Sequence, residues 1–191
     1  MRFGLANGLT VLRIVLIPCF TTLLVQRRPA WALVAYLLAA TTDFLDGYVA
    51  RRTQTTRLGR VLDPMADKLM LVSAFIVLAL LESIPPWVAV VVISRDVIIS
   101  LGFLALALQY GGARIEVRPL GKATTLLQSV TVGFVLLAGL IDVPGMAVTT
   151  ALAVTGLVTA VSGVDYMLAG FRQAGELAEA HEDAGGGPTK T

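Results

Sequence analysis

The sequence predicts an all-α integral membrane protein, a bundle of six transmembrane helices, on three observations. The 191-residue chain is 56% hydrophobic and only 15% charged, where soluble domains carry about 25% charge. Its mean hydropathy is +0.80. Apolar stretches of about twenty residues, the length that crosses a bilayer as a helix, recur between short polar breaks. One membrane domain over 1–171 is expected, followed by a polar tail over 172–191. A net charge of +2 with scattered basic residues argues against a nucleic-acid partner. The single Cys19 lies in an apolar run, so no intrachain disulfide is possible and the thiol reads as packing.

The first span covers roughly Leu9 to Val25. It is longer than a signal-peptide core and is followed by Gln26-Arg27-Arg28-Pro29 with no small-residue cleavage site, so it reads as retained. Pro18 is expected to kink it, which a bundle tolerates. Trp31 to Ala50 forms the second span. Arg51 to Leu62 reads as a basic connection, and Asp63-Pro64 as an N-cap with proline at the first helical position, opening a third span to Glu82. After the Ile84-Pro85-Pro86 turn, with Trp87 suited to the interface, a fourth apolar run extends to about Leu108, broken by Ser94-Arg95-Asp96. A polar loop over Gln109 to Pro119 precedes the fifth span, Leu120 to Ile141. Asp142-Val143-Pro144-Gly145 turns into the sixth, which ends near Phe171. The Gly-rich tail from Arg172, including His181, reads as disordered and solvated.

Six spans put both termini on one side. That side gathers Arg2, Arg13, Arg51, Arg52, Arg57, Arg60, Lys68, Arg114, Arg118, Lys122, Arg172 and Lys190, against Arg27 and Arg28 opposite and Arg95 within a span. The positive-inside rule makes the richer side cytoplasmic, which places both termini and the second connection at the inner face of the cell membrane.

Against this background Asp43, Asp46, Asp63 and Asp67 need a reason. On a helix the members of each pair stand about 60° and 40° apart, so each helix offers two carboxylates on one side. Four converging carboxylates repel unless a cation neutralises them, and an all-oxygen set selects a hard ion such as Mg²⁺ or Mn²⁺. Arg51, Arg52, Arg57 and Arg60 between the pairs point to an anion, most simply a phosphate. A divalent-cation transporter would also carry intramembrane acids, but adjacent arginines repel a permeating cation. A purely structural role would bury carboxylates at a cost of several kcal/mol without return.

Read as D-x2-D-G-x2-A-R-x7-G-x3-D-x3-D, the residues Asp43, Asp46, Gly47, Ala50, Arg51, Gly59, Asp63 and Asp67 resemble the signature of the CDP-alcohol phosphotransferases, membrane enzymes of phospholipid synthesis. The resemblance implies a CDP-diacylglycerol donor, divalent metal at Asp43, Asp46, Asp63 and Asp67, and cytidine diphosphate surrounded by Asp43, Gly47, Ala50, Arg51 and Gly59. It implies Asp67 as the general base and a homodimer. Small residues at Gly47 and Ala50 suit close approach of a nucleotide to the helix, and Arg51 suits a phosphate oxygen.

Shorter segments resemble the phosphatidylglycerophosphate synthase branch of that family: Asn7-Gly8-Leu9-Thr10-Val11-Leu12-Arg13, Ile93 to Ser100, Gly121 to Gln128, and Ser162-Gly163-Val164-Asp165-Tyr166. The implied acceptor is glycerol 3-phosphate, a small dianion that calls for fixed cations, with Arg95, Arg118 and Lys122 as candidates. Each has a plainer reading: Arg95 pairing with Asp96, Arg118 anchoring a lipid headgroup, Lys122 snorkelling. Asp165 reads as a bundle-lining hydrogen-bonding residue. Arg95-Asp96 stands where that branch commonly has Arg-Glu and resembles the cardiolipin synthases, which use phosphatidylglycerol, so that acceptor is the alternative; inositol phosphate is a third. Small residues at Gly133, Gly139, Gly156 and Gly163 permit close helix packing.

Overall fold

The computed structural model describes residues 5–50, 59–110 and 119–185, with side chains chiefly within 14–42, 68–102 and 119–175. Among the described residues there are six helices and no strand: α1 Leu5–Val25, α2 Pro29–Ala50, α3 Gly59–Leu80, α4 Pro86–Tyr110, α5 Pro119–Ala138 and α6 Gly145–Gly185. The helix α1 packs against α2 and α3, α5 lies against α2, α3 and α6, and α4 sits between α3 and α6. Phe20, Phe75, Val88, Val92 and Val132 are fully enclosed at the centre. Phe20 also meets Tyr36 with ring centroids 5.7 Å apart, and the Tyr36 hydroxyl reaches Ser129 on α5, donating to its carbonyl at 2.8 Å.

The helices α5 and α6, over Pro119–Ala138 and Gly145–Gly175, are long and apolar enough to cross a membrane. Shorter apolar helical segments are Ile14–Val25, Pro29–Thr42 and Lys68–Leu80. Large apolar side chains face outward on every helix, among them Val15, Leu38, Leu69, Val90, Leu126 and Leu157. The interior adds a set of polar residues to its apolar core. Thr124, Gln128, Thr131, Thr155, Thr159 and Ser162 are all buried. They form a polar seam between α5 and α6, in which Gln128 Nε2 donates to Thr159 Oγ1 at 3.0 Å and the Thr131 and Thr155 hydroxyls meet at 2.7 Å. In an apolar solvent such bonds fix which faces of two helices meet, because either partner alone is left unsatisfied. We expect a double-mutant cycle of Thr131→Val and Thr155→Val, read by unfolding in detergent, to return a coupling of about 0.6–1.7 kcal/mol. Additive effects would mean that the two hydroxyls do not cooperate.

The chief departures from the sequence expectation are the two ends of α3 and the tail, while α1 ends at Val25 as expected. The ends of α1 and α3 are each closed by a residue in the left-handed region. Arg27 has φ 56° and Glu82 φ 57°, and each is followed by a donor that reaches back across the last turn, Arg28 N to Leu23 O at 3.0 Å and Ser83 N to Leu78 O at 2.9 Å. These bonds satisfy end carbonyls in the Schellman pattern. Glu82 is therefore the cap beyond α3, which ends at Leu80, and not its last turn. At its other end α3 begins at Gly59, so Asp63 lies inside the helix and is not its N-cap. Proline removes a single backbone bond, to the carbonyl four residues back, and near a helix end that loss is small beside the bonds the later turns retain.

The third departure concerns the tail. The helix α6 continues past Phe171 to Gly185, so the segment expected to be disordered from Arg172 is helical to that point, His181 included. Polarity had masked propensity there: Ala174, Glu176, Leu177, Ala178, Glu179 and Ala180 are helix formers, and extending an existing helix carries no nucleation cost. The helix α1 likewise runs unbroken through Pro18, and α4 stays helical through Ser94, Arg95 and Asp96.

Candidate active site

Asp43, Asp46, Gly47 and Ala50 lie on the C-terminal part of α2, and Gly59, Asp63 and Asp67 on the N-terminal part of α3. The helical backbone at both pairs is the condition for each to share a face. Their side chains, and the whole of Arg51 and Arg118, lie outside the described residues, as does the 51–58 connection between the two helices. The Thr41 and Thr42 hydroxyls, just before the first pair, bond back to Leu37 and Leu38 carbonyls at 2.6 Å, which satisfies them within the helix in apolar surroundings.

The first described side chain after the second pair is Lys68, whose Nζ donates to Ser100 Oγ on α4 at 3.3 Å. Five residues earlier on α4, about 7.5 Å along the axis, lies Arg95. Its residue is 7% exposed and Asp96 8%. Arg95 Nη1 donates to Asp96 Oδ1 at 2.7 Å, Nη2 donates to Ser162 Oγ on α6 at 3.1 Å, and the guanidinium carbon stands 5.3 Å from the Tyr166 ring centroid. Nε is buried with no hydrogen-bond partner among the described residues. The pairing with Asp96 that the sequence offered as the plainer reading is thus present, and it sits inside the bundle.

Tyr166 continues the connection to α5. Its ring lies against Gly121 so closely that a Cβ there would fall 2.7 Å from Cε2 and nearer still to the hydroxyl. The next residue, Lys122, is exposed. One contact thus joins α3 to α4 through Lys68 and Ser100, and a second set joins the middle of α4 and of α6 to the first turn of α5. Arg95 is linked through Tyr166 to Gly121, the residue before Lys122. Sequence reading missed Lys68–Ser100 and the Arg95–Ser162–Tyr166 contacts. The four-residue spacing of Ser162 and Tyr166, which puts both on one helix face, was the available signal.

The CDP-alcohol phosphatidyltransferase family model matches residues 3–162. The chain is 36% identical over 185 residues to a protein of Mycobacterium tuberculosis named a probable phosphatidylglycerophosphate synthase, covering 91% of this chain and 85% of that one. It is 34% identical over 154 residues, 72% and 79% of the two chains, to the CDP-diacylglycerol–glycerol-3-phosphate 3-phosphatidyltransferase of Bacillus subtilis. Similarity to the CMP-forming cardiolipin synthase of Streptomyces coelicolor is 33% over 126 residues, 62% and 58% of the two. With the acidic motif on α2 and α3 inside the matched region, the chain belongs to the CDP-alcohol phosphatidyltransferase family.

Proposed function

We propose that the protein transfers the phosphatidyl group of CDP-diacylglycerol to glycerol 3-phosphate, giving phosphatidylglycerophosphate and CMP. The observation that carries this reading is the eight-residue motif from Asp43 to Asp67, seven of whose residues lie on the C-terminal part of α2 and the N-terminal part of α3, in a chain similar over most of its length to proteins named for that transfer. Six spans, with the site and both termini at the cytoplasmic face of the cell membrane, and a homodimeric assembly belong to the same proposal. The outward apolar side chains and the polar α5–α6 seam support the membrane setting, because lipid accepts an apolar exterior and helices meet there through buried polar contacts.

Within this reading Asp43, Asp46, Asp63 and Asp67 hold Mg²⁺ or Mn²⁺. Four carboxylates without sulfur or imidazole, paired on helical backbone, are a donor set that fits a hard divalent ion. Once bound, the cation supplies Lewis-acid polarisation of the diphosphate. Gly47, Ala50 and Gly59 leave room for the cytidine diphosphate, and Arg51 neutralises a phosphate oxygen. Asp67 takes the proton of the acceptor hydroxyl as that oxygen attacks the phosphorus bearing diacylglycerol; the bond to CMP breaks and CMP leaves. Arg118, Lys122 and Arg95 provide the cationic surroundings for the acceptor phosphate.

Purified protein in lipid, given CDP-diacylglycerol, Mg²⁺ or Mn²⁺ and a panel of acceptors, is expected to release CMP with glycerol 3-phosphate. Release with phosphatidylglycerol alone would select the cardiolipin synthase reading, which Arg95-Asp96 favours but the shorter matches to proteins so named support less well. Absence of acceptor-dependent CMP release would eliminate both.

A further inference from the structure

The Ser162-Gly163-Val164-Asp165-Tyr166 segment of α6 has no part in the reaction as proposed, yet three of its residues grip Arg95. Ser162 accepts from Nη2 at 3.1 Å, the missing Cβ of Gly163 leaves room for the arginine stem, whose Cγ would stand 3.3 Å from it, and the Tyr166 ring faces the guanidinium at 5.3 Å. On a helix these three positions fall within an arc of about 100°. The guanidinium is in turn held by Asp96 at 2.7 Å. A charged group so fixed and so buried turns the stacked ring into a rigid stop, since the ring cannot rotate away without giving up the cation contact.

That ring touches one further element. It lies on Gly121, buried in the first turn of α5, where the Thr124 and Thr125 hydroxyls close onto the Leu120 and Gly121 carbonyls at 2.8 and 3.1 Å. Lys122 follows in that turn and is exposed. We infer that Tyr166 is a positioning residue for acceptor recognition: clamped by Arg95 and seated on Gly121, it sets the depth and rotation of the first turn of α5 and so aims Lys122 at the acceptor phosphate. This rests on the proposed acceptor role of Lys122. It assigns to Arg95 a part played through Tyr166, which accounts for a candidate phosphate ligand being enclosed by protein.

The test is steady-state kinetics of the full chain in lipid with both substrates varied. Tyr166→Leu and Gly121→Ala are expected to raise the glycerol 3-phosphate KM on the order of ten- to hundredfold, the scale of a misplaced binding group, with the CDP-diacylglycerol KM within about twofold. Tyr166→Phe alone keeps the ring over Arg95 and against Gly121, so its acceptor KM is expected to stay near the native value. Gly156→Ala, whose Cβ would fall 2.5 Å from the Trp87 ring on the same α4–α6 contact, is expected to lower stability and leave the acceptor KM in place. If both KM values rise together, or Tyr166→Phe raises the acceptor KM as far as Tyr166→Leu does, the ring does not position α5 and the inference falls. An unchanged acceptor KM in Lys122→Ala would instead bring down the reading beneath it.

Discussion

Replacing Asp67 by Asn is expected to lower kcat by about 10²–10⁴-fold, the range that a positioned general base contributes, with binding of the CDP-lipid largely kept. Asparagine has the same shape and still offers a carbonyl oxygen, but it cannot take the proton of the attacking hydroxyl. The same change at Asp43 removes charge from the metal-holding set without removing the base, so its main effect is to raise the divalent-ion concentration needed for half-maximal rate. Single-turnover CMP release, at saturating acceptor and across a Mg²⁺ or Mn²⁺ series, separates the two. Asp67→Asn depresses the plateau at every metal concentration, whereas Asp43→Asn shifts the midpoint. An Asp67→Asn plateau within tenfold of the native one would remove the base role from Asp67. Loss of CDP-lipid binding in the same variant would recast Asp67 as chiefly a metal ligand.

The helices were legible because apolar stretches of about twenty residues between polar breaks mark long apolar helices. The ends of α2, α4 and α5 fall within three residues of the expected positions. Boundaries set by local backbone chemistry were harder to read. The left-handed caps at Arg27 and Glu82 use residues that carry no glycine signal, and Asp63-Pro64 imitates a helix start. The helical stretch beyond Arg172 was obscured for the opposite reason: a hydropathy reading sees its polarity and overlooks the propensity of its alanines and glutamates.

The site divides similarly. The acidic pairs stand out because their spacing is local and matches one helix face. The Arg95–Ser162–Tyr166 contacts join residues more than sixty positions apart, and no helical period links them. What sequence alone could offer for Arg95 was a pair of readings, ligand or ion-pair partner of Asp96. The structure establishes the pair and buries it.

That burial makes Asp96→Asn the second large effect. The Arg95 and Asp96 side chains are 8% and 10% exposed, so neutralising the acid leaves a guanidinium enclosed between α4 and α6 with Ser162 as its remaining described hydrogen-bond acceptor. Breaking a buried pair from one side costs about 3–5 kcal/mol, because the surviving charge keeps its desolvation penalty and loses its counterion. Removing both charges with apolar residues of similar volume, as in Arg95→Met with Asp96→Leu, costs far less and is often neutral. We therefore expect Asp96→Asn to unfold at markedly lower temperature in lipid or detergent, and the double variant to regain most of that stability. Activity should not follow stability. Without the guanidinium Tyr166 loses its cation contact, so the recovered double variant should still need a much higher glycerol 3-phosphate concentration to turn over. If it recovers acceptor affinity together with stability, the ion pair serves the fold alone and the link from Arg95 through Tyr166 to α5 is broken.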